Sequence, residues 1–149
     1  MNMNRRTVAL IDDDDGPIVY YEQALKDSGL EIVRLKAFKT ALDYIKDPSS
    51  NPDMWIIDVM MPIEDESLVV GGVEATRSTA LGLGAGLLLY KMVKARCPQI
   101  PVILLTSITT PQLLDDIERS LCDQDTCEAK LDTLPSDLVE KVNRRIGMP

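Results

Sequence analysis

Five stretches of strand character, each followed by a segment of helical character, predict an α/β fold: a parallel sheet of five strands with helices on both faces. Two observations lead there. Apart from Thr7, the stretches 7–11, 54–57 and 102–105 are apolar throughout, as expected of strands covered on both faces. Between them, Gly, Pro and capping-type residues punctuate segments of helical length.

Each element has its own signal. Thr7 to Ile11 is short and rich in branched apolar residues, and it stops at Asp12. Asp15 is placed to cap a first helix that has Pro17 in its opening turn and Ile18, Tyr21 and Leu25 as its apolar stripe. Gly29 suits a left-handed stop. Glu31 to Leu35 alternates polar and apolar residues, which predicts a strand near a sheet edge. A short helix over 40–46 is stopped by Pro48. The next strand, 54–57, ends on Asp58.

A helix over 81–96 has Leu83, Leu87, Tyr90 and Val93 roughly in phase, its start weakened by Gly82, Gly84 and Gly86. Strand 102–105 ends on Thr106 and Ser107. Thr110 and Pro111 open a helix over 111–121. Strand 126–129 leads to Lys130, and Ser136 is placed to cap a last helix that runs to Ile146 before Gly147. No internal repeat or low-complexity linker interrupts the series, so one domain is expected over 1–149.

The totals narrow the function classes. Sixteen basic against 24 acidic residues leave a net charge of −8, which repels nucleic acid and anionic lipid. A protein or small-molecule partner is expected instead. With no histidine and three unpatterned cysteines (Cys97, Cys122, Cys127), zinc cages of the Cys/His kind are excluded. No stretch approaches the apolar length of a membrane span or a secretory signal, so the expected location is cytoplasmic.

In parallel sheets of this kind, ligands bind outside the carboxyl ends of the strands. Those ends carry Asp12 and Asp13, then Asp58, Thr106 and Lys130. Carboxylates gathered at one edge repel one another and call for a cation. Oxygen ligands without sulfur or imidazole suggest Mg²⁺. A hydroxyl and an ammonium beside a carboxylate nucleophile suit phosphoryl transfer, which needs mostly positioning and charge neutralisation.

Leu10-Ile11-Asp12-Asp13, the segment from Trp55 to Pro62 (WIIDVMMP), Val102 to Ser107 (VILLTS) and Ala129-Lys130 together resemble the receiver domains of two-component response regulators. The likeness runs from about Thr7 to Ile146. It implies the flavodoxin-like strand order 2-1-3-4-5. Asp58 matches the phosphoacceptor, Asp13 the direct Mg²⁺ ligand and Asp12 its partner. The backbone carbonyl of Met60 would complete the metal set. Thr106 matches the switch hydroxyl and Lys130 the ammonium that pairs with the phosphoryl group.

The implied partners are a sensor histidine kinase or histidine phosphotransfer protein upstream and a protein target downstream. The implied role is regulatory and not that of an enzyme. No output domain is read after the last helix, so protein binding or onward phosphotransfer is the expected output.

The chain departs from the family in three places. The separation of Asp58 from Thr106 is longer than usual, which predicts an insertion at about 63–80 carrying Glu64, Asp65 and Glu66. A connection of that length is usually functional or mobile, here as a gate over Asp58 or part of a partner-binding face, with Arg77 its one residue suited to phosphate. Leu131 follows Lys130 where the family usually has proline. Cys127 stands where many members carry a switch aromatic, so the aromatic toggle cannot operate in its familiar form.

Two other readings compete. One is a receiver-like interaction module that is never phosphorylated. The other is a small Mg²⁺-dependent phosphatase of the haloacid dehalogenase kind; Asp12-x-Asp14 suits its first motif, but Gly16 stands where a threonine is expected.

Overall fold

A computed structural model describes residues 5–62, 85–108 and 110–147. Its strands are β1 (Thr7–Ile11), β2 (Glu31–Leu35), β3 (Met54–Asp58), β4 (Val102–Thr106) and β5 (Thr126–Ala129). Its helices are α1 (Ile18–Asp27), α2 (Phe38–Lys46), α3 (Gly86–Arg96), α4 (Pro111–Arg119) and α5 (Pro135–Arg145). All strand pairs are parallel and the sheet order is β2-β1-β3-β4-β5, as the sequence predicted.

The two-residue period of each strand divides the core into two layers. Ala9, Ile11, Trp55, Ile57, Val102 and Leu104 point to one face, where they meet α2 and α3. Val8, Leu10, Met54, Ile56, Ile103 and Leu105 point to the other, against α1 and α5. The three strands with continuous apolar runs are the three central ones. β2 lies at an edge and is largely half-buried, in keeping with its alternating sequence.

Several local expectations are corrected. Asp15 does not cap α1, whose first residue follows Pro17 without a side-chain cap; its carboxylate pairs with Lys36 at 2.6 Å instead. Ser136 does not cap α5. That helix starts two residues earlier than such a cap would place it, at Pro135 with Leu134 in the cap position, and the Asp137 carboxylate accepts the Leu134 N–H at 3.0 Å. Thr110 and Pro111 open α4 as expected, without a side-chain cap bond, but the helix ends at Arg119, short of Leu121. Gly29 takes φ +97°, the left-handed stop the sequence predicted.

In α3 the buried stripe is Gly86, Leu89, Tyr90 and Val93, while Leu87 is only half-buried. Three consecutive leucines fit either rotation of that helix. The choice is made at Gly86, where a Cβ would lie 2.1 Å from the Asp58 carbonyl oxygen, so only glycine allows the helix so close. Leu83 and the predicted insertion at 63–80, with Glu64, Asp65, Glu66 and Arg77, lie outside the described residues.

Candidate functional site

The carboxyl edge of the sheet gathers the residues that the strand ends carry. Register aligns Asp58 with Leu105 and Thr106 with Ala129, so Thr106 and Lys130 each stand one step beyond a paired neighbour. Asp12 follows β1, its own N–H tied to the Leu35 carbonyl of β2 at 3.1 Å. Asp12, Asp58 and Thr106 are buried, Asp13 is exposed, and Lys130 is half-buried.

Carboxylate oxygens of Asp12, Asp13 and Asp58 all lie within 4.8 Å of one another. The Lys130 ammonium donates to Asp12 Oδ2 at 2.9 Å and stands 3.8 Å from Asp58 Oδ1. Asp58 Oδ1 accepts the Met60 N–H at 3.0 Å, which folds the strand end into a tight turn, and Thr106 Oγ1 accepts the Ile108 N–H at 3.0 Å.

The electrostatics are strained in one direction. Burial, then the negative charge of Asp12, pushes Asp58 up to about 6, against the opposing pull of Lys130 and the Met60 N–H. Burial lowers the Lys130 ionisation, but its bond to Asp12 and the charges of Asp58 and Asp12 outweigh that and leave it raised. One ammonium faces three carboxylates. This donor set, all hard oxygen and short of positive charge, fits Mg²⁺, which takes one or two carboxylates and keeps waters for a phosphate to replace.

Sequence reasoning missed three residues that shape the site. Arg34 of β2 donates to the Asp12 carbonyl through Nε (3.1 Å) and Nη2 (2.8 Å), to the Asp14 carbonyl (2.6 Å), and to Glu22 of α1 (3.1 Å). It thereby pins the acidic loop after β1. Gly86 brings α3 onto the backbone of Asp58 and Val59. Tyr21 of α1, read from the sequence only as an apolar stripe position, bonds the turn that carries Lys130. A basic residue between the apolar Val33 and Leu35 of that strand was the available signal for Arg34. Nothing in the sequence singled out the others for a site.

A cavity of about 160 Å³ opens beside Thr106, with Ile108, Leu114 and Leu131 among its walls. Cys127 is half-buried nearby on β5, and burial pushes its thiol up to about 11, so it stays neutral. No helix among the described residues is long and apolar enough to cross a membrane.

Neither a protein-family model nor a curated protein matches the sequence. Solved structures do match. A response regulator receiver domain protein (CheY-like) from Methanospirillum hungatei is 16% identical at a TM-score of 0.69, covering 96% of this chain and 94% of that one. The receiver domain of a Francisella response regulator is 21% identical at a TM-score of 0.69, covering 96% and 98%. The BeF3-activated receiver domain of DrrB, a Thermotoga maritima response regulator, is 19% identical at a TM-score of 0.66, again covering 96% and 98%. With five parallel strands in the order 2-1-3-4-5 and this likeness along nearly its whole length, the chain has the fold of the response regulator receiver domains.

Proposed function

We propose that the chain is a phosphoacceptor signalling module, in which Asp58 receives a phosphoryl group and a protein-binding surface changes in response. The observation that carries this reading is the convergence of Asp12, Asp13 and Asp58 within 4.8 Å, with Lys130 beside them.

Asp58 is the nucleophile. Its carboxylate oxygen forms the new P–O bond as the bond from phosphorus to the donor breaks, and the donor leaves with the electron pair. The donor is a phosphohistidine on a sensor kinase or phosphotransfer protein, or a small acyl phosphate. Asp12, Asp13, Asp58 and the Met60 carbonyl would hold Mg²⁺, which when bound neutralises the carboxylates and the transferring group. Lys130, already within 3.8 Å of Asp58, supplies the positive charge for a phosphoryl oxygen. The Thr106 hydroxyl, released from the Ile108 N–H, donates to another.

That exchange is the switch. The added charge draws Thr106 and Lys130 inward, and the loops after β4 and β5 follow. The cavity beside Thr106 offers room for the β4 loop to move, and α4, β5 and α5 form the responding face. With Cys127 in place of an aromatic, that movement is transmitted by loop repacking and not by a ring. The reading takes the whole chain as one regulatory receiver unit, cytoplasmic, with protein partners and no catalytic turnover of its own beyond accepting and losing the phosphoryl group.

Intact mass after incubation with acetyl phosphate tests it. One phosphoryl adduct is expected on the wild type with Mg²⁺, and none without Mg²⁺ or on Asp58→Asn. If neither the adduct nor a beryllofluoride complex forms, the chain is an interaction module that never carries phosphate.

A further inference from the structure

Lys130 is held by a turn that has little of its own to fix it. The turn, Lys130–Asp132, is a single 3₁₀ stretch between extended Ala129 and Thr133, with no side-chain cap. It contains neither proline nor glycine, and Leu131 at its centre is 78% exposed, so packing does not hold it either.

What does hold it comes from across the sheet. The Tyr21 hydroxyl donates to the Thr133 carbonyl, with the Lys130 carbonyl at 3.0 Å as its second acceptor. One phenol thus ties both ends of the turn to α1. Tyr21 is itself fixed: it is 5% exposed and packs in the layer formed with Leu138 and Val142 of α5. Burial raises its ionisation above the ordinary phenol range, so the hydroxyl remains a donor.

We infer that Tyr21 is a positioning residue for Lys130: its hydroxyl clamps the 130–133 turn and so sets the ammonium between Asp12 and Asp58. The inference rests on the function proposed above. A turn free to rearrange would spread Lys130 over positions that do not reach both carboxylates. The clamp removes that freedom before the phosphoryl group arrives, so less ordering remains to oppose binding.

Tyr21→Phe removes the hydroxyl and keeps the ring that fills the core. Beryllofluoride affinity in saturating Mg²⁺, read from the bound ¹⁹F NMR signal, is measured for wild type, Tyr21→Phe, Lys130→Met and the double variant. Hydrogen exchange of the 130–134 amides is followed in the same proteins. Loss of a buried hydrogen bond predicts binding about three- to tenfold weaker in Tyr21→Phe. If Tyr21 acts through Lys130, that loss disappears in the Lys130→Met background, and exchange at 130–134 quickens.

Wild-type affinity in Tyr21→Phe, or an equal loss in both backgrounds, overturns the inference; the second result leaves Tyr21 with a structural role only. Should the wild type form neither a beryllofluoride complex nor the acetyl phosphate adduct, the phosphoacceptor reading fails. Exchange at 130–134 then decides the clamp alone, and an unchanged rate in Tyr21→Phe removes it.

Discussion

Two aspartates are buried at opposite edges of the same sheet, Asp58 at 4% exposure and Asp125 at 7%, and their surroundings differ completely. Asp125, just before β5, accepts the Tyr90 hydroxyl at 2.6 Å and the Val102 N–H at 2.9 Å, and it pairs with the Lys94 ammonium at 3.0 Å. The Tyr90 hydroxyl also accepts the Cys122 N–H at 2.9 Å, which extends the network into the α4–β5 connection. Asp58 has one backbone N–H, a lysine 3.8 Å away that is closer to Asp12, and two neighbouring carboxylates.

Burial of a charge is tolerated where the partners are complete and is costly where they are not. The amino edge therefore holds a structural carboxylate that stitches α3, β4 and β5 together. The carboxyl edge holds one whose electrostatic needs its protein neighbours leave unmet. Under-satisfaction, not burial or residue type, separates the candidate site from its structural counterpart.

The contrast breaks most sharply at Asp125. Asp125→Ala leaves the Lys94 ammonium buried without its carboxylate, and a loss of about 3–5 kcal/mol is expected in urea denaturation. A loss below about 1 kcal/mol would mean the network is ornamental to stability and the two aspartates are not opposites.

Asp58→Asn moves the other way. The Asp58 pKa is raised from 3.8 to about 6, so its ionised form is disfavoured in the folded state. Stability from this group is fully present below the unfolded value of 3.8 and is lost as pH rises through about 6. Without divalent cation, Asp58→Asn is expected to be more stable than wild type at pH 7.5, by no more than about 3 kcal/mol, the advantage shrinking toward pH 4. Thermal melts at the two pH values check the sign. Adding Mg²⁺ should then raise the wild-type Tm more than that of the variant.

Gly86→Ala sharpens the comparison at the backbone. At an ordinary helical position this change stabilises by up to about 1 kcal/mol. Here a Cβ meets the Asp58 carbonyl at 2.1 Å and the Val59 Cα at 2.5 Å, both backbone atoms. A loss of about 1–3 kcal/mol is expected, with slower acetyl phosphate labelling because the strand end beneath Asp58 must shift. A stabilised variant would show that α3 does not press on the site.

The smallest effect is expected at Arg34. Arg34→Gln weakens the tie between β2 and the carbonyls of Asp12 and Asp14. Mg²⁺ affinity by titration calorimetry should fall about fivefold, the worth of roughly one hydrogen bond. Unchanged affinity would mean that the acidic loop holds its shape without the guanidinium.

Much of the fold was legible before any coordinates. The continuous apolar runs at 7–11, 54–57 and 102–105 became the three central strands because such runs have no solvent-facing side. The strand-end rule then brought Asp12, Asp13, Asp58, Thr106 and Lys130 to one edge. Caps were less legible. Asp15 and Ser136 were plausible caps by type, yet Asp15 found Lys36, and the N-terminus of α5 was tied by Asp137 from inside the helix. A short polar side chain that fits several local bonds does not announce which one it makes.

By itself the sequence determined the alternation of strands and helices and which strands are interior, since both follow from the period and continuity of apolar residues. It also placed the chemistry-bearing residues at strand ends, because a polar residue that terminates a buried strand must lie at a sheet edge. Only the tertiary structure decided the rotation of α3, the grip of Arg34 on the acidic loop, the bond from Tyr21 to the Lys130 turn, and which buried aspartate is satisfied. These depend on contacts between residues far apart in the chain, Tyr21 with Thr133 or Asp58 with Gly86. Local patterning has no term for such contacts until register and packing bring the partners together.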